Sequence, residues 1–206
     1  MNRPESENMK AALYCLVVLP CILFVSSVLA SGPGDVVKNF RLLDQYGKAH
    51  ELYKLSDAKA VVLMIQGNGC SIVRQAIPAL ADIRSRYQER NVTFWLINPN
   101  LQDDRDAIRR EAEEFNFGFP ILVDNRQLAG EALGVRRTAE VFVVDPKHWK
   151  VVYRGPIDDR LFYGEQRRAA QHHYLTDALD AVLSGRPVVE PAVAGIGCMV
   201  NFPNRG

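Results

Sequence analysis

The sequence has 206 residues, of which 48% are hydrophobic and 24% are charged, with 25 Lys and Arg against 24 Asp and Glu. This length suits one well-packed domain plus a targeting segment, and the composition excludes a disordered or low-complexity chain. The net charge of +1 gives no electrostatic reason to bind nucleic acid or an anionic surface, so we expect no nucleic-acid partner.

The first thirty residues differ from the rest of the chain. A polar start that contains Arg3 and Lys10 is followed by an uncharged run over residues 11–30, which ends Val-Leu-Ala30. Small residues at the two positions that a signal peptidase inspects predict a secretory signal over residues 1–30. An uncleaved membrane anchor is the alternative, because about 20 apolar residues can span a bilayer. We therefore expect an extracytoplasmic protein, periplasmic or secreted, which is tethered to the membrane if the signal is not removed.

Predicted strands and helices alternate over residues 35–185, which we interpret as one domain. Strands are predicted over 40–44, 60–65, 92–97, 119–124, 140–145 and 150–154, and helices over 71–87, 103–115, 127–133 and 173–183. The last two strands flank a Pro-Lys-His turn and predict a hairpin. This order predicts an α/β three-layer sandwich with a central mixed sheet and helices on both faces. Residues 186–206 form a tail without clear periodicity.

The number and positions of the cysteines limit the reactions that the mature domain can carry out. Cys15 and Cys21 fall in the predicted signal, so the mature domain keeps only Cys70 and Cys198. Two cysteines in an exported protein either form one disulfide or take part in a reaction. Cys70 follows the buried strand over 60–65 and begins a helix, and α/β proteins place ligands and chemistry at such strand ends.

Several neighbours of Cys70 favour a reactive thiol over a buried, inert cysteine. The N-terminus of a helix stabilises an anion and lowers the pKa of a thiol there. Arg74 lies four residues later on the same helical face, and we predict that its guanidinium reaches back toward the sulfur. Gly67 and Gly69 are predicted to let the backbone turn tightly and to leave the sulfur accessible.

The run from Val61 to Pro78 resembles the active-site strand, loop and helix of thioredoxin-like redoxins, the group that includes alkyl hydroperoxide reductase and thiol-specific antioxidant proteins. Segments 119–124 and 134–145 resemble later blocks of the same pattern. Segment 153–159 and the Gly197-Cys198 pair resemble an exported subgroup. The resemblance implies a thioredoxin-like three-layer sandwich.

These features and the resemblance together predict a set of site residues. The predicted catalytic residues are Cys70, Cys198 and Arg74, and the predicted substrate-binding residues are Gly69, Ser71, Thr138 and Ala139. No metal ligand is predicted. No phosphate-binding or dinucleotide-binding loop is present in the sequence, so no organic cofactor is expected.

Three positions depart from the patterns of the related groups. Val73 stands where thioredoxins carry the second cysteine of Cys-x-x-Cys, which excludes exchange within that motif. Gly67 stands where peroxiredoxins usually carry Thr, so fast peroxide reduction is not expected. Thr138-Ala139 stands where thioredoxin-like proteins have a cis-proline. A cis bond before a non-proline residue costs about 2.5–4 kcal/mol, so this peptide bond is predicted to be trans.

Cys198 is the internal candidate for the second thiol that exchange requires. The tail can bring it onto Cys70 of the same chain or of another protomer, which would make a homodimer. A disulfide needs the two Cα atoms within roughly 4.4–6.8 Å, and the sequence does not give this distance. The alternative, that Cys198 is an independent cysteine, stays open.

Three functional hypotheses follow. In the first, Cys70 attacks a disulfide, or less efficiently a peroxide, and Cys198 or an external thiol resolves the product. Its partners would be a thiol or disulfide protein or a small thiol reductant. In the second, the fold is a non-catalytic module that binds a protein partner or copper, the latter through the cysteines with His172 or His173. In the third, a permanent Cys70–Cys198 bond is purely structural.

Overall fold

The computed structural model describes residues 32–161 and 167–203, which contain seven strands and four α-helices. The signal or anchor predicted over residues 1–30 lies outside this range. Within the described residues, no helix is long and apolar enough to cross a membrane.

The elements follow the predicted order. They are β1 Arg41–Leu43, β2 Ala49–Glu51, β3 Ala60–Ile65, α1 Ser71–Tyr87, β4 Val92–Asn98, α2 Arg105–Glu114, β5 Ile121–Val123, α3 Leu128–Ala132, β6 Val141–Asp145, β7 Lys150–Gly155 and α4 Tyr174–Leu183. Two 3-10 turns, Leu52–Leu55 and Gln88–Arg90, complete the set. The prediction missed β2 and the first of these turns, because three residues without alternation carry no strand signal.

Five strands form one mixed sheet in the order β5-β4-β3-β6-β7. β4 is parallel to both β3 and β5, while β6 is antiparallel to β3 and to β7. The β6–β7 pair is the predicted hairpin. β1 and β2 form a separate antiparallel ribbon.

The central strand β3 is buried on both faces, which is why it reads as a continuous apolar run. Val62 and Met64 point into one core, where α1 and α4 pack, and the alternate residues point into a second core, where α3 and the first 3-10 turn pack. The helices therefore cover both faces of the mixed sheet. The predicted α/β fold class, a three-layer sandwich with a central mixed sheet, is confirmed.

A buried carboxylate holds the turn between β1 and β2. Asp44 Oδ1 accepts the backbone N–H groups of Tyr46 and Lys48, each at 2.9 Å, and Oδ2 lies 2.7 Å from His50 Nε2. Burial by itself raises the pKa of Asp44, but the hydrogen bonds from His50 and from the two backbone N–H groups outweigh it and hold the pKa below its ordinary value. The ionised form therefore stabilises the ribbon.

We expect Asp44→Asn to lower the free energy of unfolding at pH 7 by about 1–2 kcal/mol, because charge-assisted hydrogen bonds are lost. A pKa below the ordinary 3.8 means that this stability is present above that pH and is lost as the pH falls through the folded-state pKa. Urea unfolding at several pH values measures the difference between the two proteins, which should shrink toward pH 3. Asp57→Asn, at an exposed position, is the control, and an equal loss in both variants would contradict the assignment.

Candidate thiol redox site

Cys70 lies between the end of β3 and the start of α1, as the N-cap residue of that helix. The loop before it turns at Gly69, whose φ of +76° favours glycine. The Cys70 residue is only 2% exposed. The sequence-based expectation of an accessible sulfur is therefore wrong, because the C-terminal tail covers it.

The tail pairs with the segment that leads into β6. Thr138 N–H donates to the Cys198 carbonyl at 2.9 Å, and Val200 N–H donates to the Arg136 carbonyl at 3.1 Å. This short antiparallel pairing places Cys198 Sγ 2.9 Å from Cys70 Sγ, with both cysteines as free thiols. Of the predicted site residues, Cys70, Cys198, Thr138 and Ala139 thus come together.

The close approach of the tail depends on Gly197. A Cβ atom at this position would overlap the carbonyl oxygen of Thr138. Gly195, two residues earlier, has room for a Cβ, whose closest contact would be 3.7 Å from the Pro156 nitrogen. A side chain at 197, but not at 195, would therefore separate the tail from its partner segment.

The hydrogen bonds of Thr138 leave its hydroxyl proton available to the Cys70 sulfur. Thr138 Oγ1 accepts the backbone N–H of Cys198 at 2.9 Å and lies 3.0 Å from Cys70 Sγ. Since an N–H can only donate, the hydroxyl proton is free to point at the Cys70 sulfur. The next residue, Ala139, has a φ of +59°, and its N–H donates to Ile65 O at 2.7 Å, which ties this segment to the end of β3. The Thr138–Ala139 bond is trans, as predicted.

The two thiols have opposite acidities. Burial raises the pKa of Cys70, but the Cys198 thiol, the Thr138 hydroxyl and the backbone N–H of Val73 all donate to its sulfur, and the pKa falls below its ordinary value. Burial and the adjacent Cys70 sulfur raise the pKa of Cys198. The site therefore favours a Cys70 thiolate that accepts a hydrogen bond from the Cys198 thiol.

Arg74 was predicted to reach back toward the Cys70 sulfur, but in the structure it binds Glu111 instead. Its Nε donates to Glu111 Oε1 at 2.9 Å, and its guanidinium carbon lies 3.8 Å from the centre of the Phe115 ring. Glu111 in α2 attracts it because this carboxylate, on a residue only 7% exposed, needs a charged partner. Glu111 Oε2 also accepts the Gly69 N–H at 2.8 Å. That N–H is thus already bound in this structure, and the substrate-binding role of Gly69 stays a prediction.

Ser71, the fourth predicted substrate-binding residue, is exposed in the first turn of α1. Sequence reasoning missed Glu111, because a single buried carboxylate cannot be told from its neighbours in a highly charged helix.

A second carboxylate fixes the other side of the loop. Asp103 Oδ2 accepts the Asn68 N–H at 2.9 Å and the side-chain amides of Asn98 and Asn100 at 2.9 and 3.1 Å. Asn98 Nδ2 also donates to Gln66 Oε1 at 2.7 Å. Asp103 and Glu111 together hold the backbone that delivers Cys70, and neither was predicted.

A groove of about 210 Å³ lies between α1 and residues 156–161. Ile72, Ala139 and Ile196, which lie within two residues of Cys70, Thr138 and Cys198 in the chain, form part of its lining, and charged residues such as Asp158 and Arg160 form another part. In the described part of the chain, no three His, Cys, Asp or Glu side chains are grouped so that they can hold a metal ion.

Comparisons with known proteins agree with this fold. The AhpC/TSA family matches residues 33–154. The thiol-disulfide oxidoreductase ResA of Geobacillus thermodenitrificans is 27% identical over 128 residues, which are 62% of this chain and 71% of that protein.

Two solved structures extend the comparison. A hypothetical protein from Sinorhizobium meliloti is 27% identical and superposes with a TM-score of 0.74. The superposition covers 84% of this chain and 96% of that one. A putative thiol:disulfide interchange protein DsbE from Chlorobium tepidum is 18% identical, with a TM-score of 0.60 over 74% and 99% of the two chains, and shows the shared fold alone. Since the family match spans more than half of the sequence, the chain belongs to the AhpC/TSA family, as a thiol-dependent oxidoreductase with a thioredoxin-like fold.

Proposed function

We propose that Cys70 and Cys198 form an intramolecular dithiol–disulfide couple that exchanges disulfides with an exported protein or a small thiol. The observation that carries this proposal is the 2.9 Å contact between the two sulfurs, which come from positions 128 residues apart in the sequence. The couple does not need a Cys-x-x-Cys motif, because the C-terminal tail supplies the second cysteine.

The exchange is balanced. Two thiols of the reduced chain give two electrons and two protons to a partner disulfide, which leaves as two thiols, while one S–S bond forms between Cys70 and Cys198. The reverse reaction oxidises a partner dithiol. The direction in the cell depends on the reduction potential of the partner.

The residues around Cys70 support this exchange more strongly than peroxide reduction. Gly67 stands where peroxiredoxins usually carry Thr, so the hydroxyl that would position a peroxide beside the Cys70 sulfur is missing. Peroxide is therefore the slower oxidant in this proposal, and its product is the same disulfide after loss of water.

The proposed compartment is extracytoplasmic. The signal-like pattern of residues 1–30 supports it, and disulfides persist in oxidising compartments outside the cytosol.

The proposal is tested by oxidising the reduced full chain with glutathione disulfide and mapping its cysteines by peptide mass spectrometry. We expect a cross-linked peptide pair joining Cys70 and Cys198 within one chain, which dithiothreitol opens again. Cys70→Ser and Cys198→Ser should not form this cross-link. If Cys70 and Cys198 are not linked to each other after oxidation, the proposal is overturned. A cross-link that mild reductant cannot open would indicate a structural disulfide instead.

We expect Thr138→Val to raise the pH at which alkylation of Cys70 reaches half its maximal rate. The variant loses a hydroxyl donor worth about 1 kcal/mol, which corresponds to about five-fold less thiolate below the pKa. Iodoacetamide rates, resolved for each cysteine by mass spectrometry, give the midpoint, which depends on acidity and not on access.

Thr138→Ser is the matched control because it keeps the hydroxyl, so its midpoint should stay near that of the original chain. An unchanged midpoint in Thr138→Val would show that Thr138 does not stabilise the thiolate.

A further inference from the structure

We infer that Cys198, not Cys70, is the sulfur that partners attack and that first attacks a partner, while Cys70 is the leaving and resolving sulfur. This inference rests on the proposed couple and assigns the order of its steps. It reverses the order expected from the sequence, in which Cys70 is the first nucleophile.

Exposure separates the two sulfurs. Cys70 is 2% exposed and belongs to the core in which Ile72 and Val73 are also buried. Cys198 is exposed, and its neighbour Met199 is 68% exposed. A partner that meets the closed site therefore reaches Cys198 first.

The direction of attack leads to the same assignment. A thiolate attacks a disulfide sulfur from the side opposite the bond that breaks. Cys198 is exposed, so a partner thiolate can approach it from solvent, whereas Cys70 is a buried member of the core and lacks such an approach. Access thus selects Cys198 as the attacked sulfur.

Reduction of the couple then proceeds without opening the tail. A partner thiolate forms a bond to Cys198 Sγ, the Cys70–Cys198 bond breaks, and Cys70 leaves as a thiolate. Its hydrogen bonds from the Thr138 hydroxyl and the Val73 N–H stabilise that product, and thiols of lower pKa leave faster. A second partner thiolate releases Cys198.

Oxidation follows the reverse course. The Cys198 proton passes to the Cys70 sulfur along their 2.9 Å contact, and the Cys198 thiolate attacks the partner disulfide. One partner thiolate leaves and takes up the proton from Cys70. The Cys70 thiolate then attacks Cys198 Sγ, and the second partner thiolate leaves.

The experiment starts from the oxidised full chain. It is mixed briefly with glutathione, quenched in acid, alkylated, and mapped by tandem mass spectrometry. We expect glutathione on Cys198 and the alkyl group on Cys70. Glutathione on Cys70 would overturn the inference but leave the couple intact, whereas the absence of any Cys70–Cys198 disulfide in the starting material would overturn the proposed function itself.

A second measurement uses the tail contact. In Cys198→Ser the tail still covers Cys70, so Cys70 should react slowly with dithiobisnitrobenzoate. Adding Gly197→Ala separates the tail from Thr138. The rate at which Cys70 reacts should then rise at least about ten-fold, since access to its sulfur limits thiol–disulfide exchange.

Gly195→Ala, which fits its surroundings, is the matched control and should leave the rate unchanged. Circular dichroism verifies that both variants are folded. A fast reaction of Cys70 in Cys198→Ser alone would contradict the inference.

Discussion

The pairing of the tail with residues 136–138 is the interaction on which the thiol site depends. Two main-chain hydrogen bonds, Thr138 to Cys198 and Val200 to Arg136, set the register that brings the sulfurs together. Burial of Val200 in the second core and the bond from Gln127 Nε2 to Asn201 O at 2.7 Å continue the attachment. Each hydrogen bond contributes only about 1 kcal/mol net, so the tail is ordered by several modest contacts rather than by one strong one.

A buried thiolate requires compensation, and the fold provides it from three directions. Burial opposes the charge on Cys70, while donors from α1, from Thr138 and from the tail favour it. The donor from the tail is the second thiol itself, so the group that stabilises the thiolate is also the group that it bonds to on oxidation. Asp103 and Glu111 act one step further away, because they bind the loop backbone at Asn68 and Gly69. The loop thus keeps its shape even though it contains two glycines.

The sequence predicted the fold well where the signal is local. β3 has a continuous apolar run because both of its faces are buried, and α1 has apolar residues at helical spacing because one of its faces is buried. Both were predicted with their observed bounds. Cys70 at the helix start was likewise predictable. β2 was missed because its three residues contain no period, and Glu111 because its neighbours in α2 are also charged.

The sequence by itself determined the order of strands and helices, the position of Cys70 at a helix N-terminus and the trans bond before Ala139, because each of these depends on residues close together in the chain. Only the tertiary structure decided which thiol faces Cys70, which residue neutralises Arg74 and which sulfur meets solvent. Those outcomes depend on contacts between segments far apart in the sequence, and hydrophobic periodicity carries no information about which polar groups will meet.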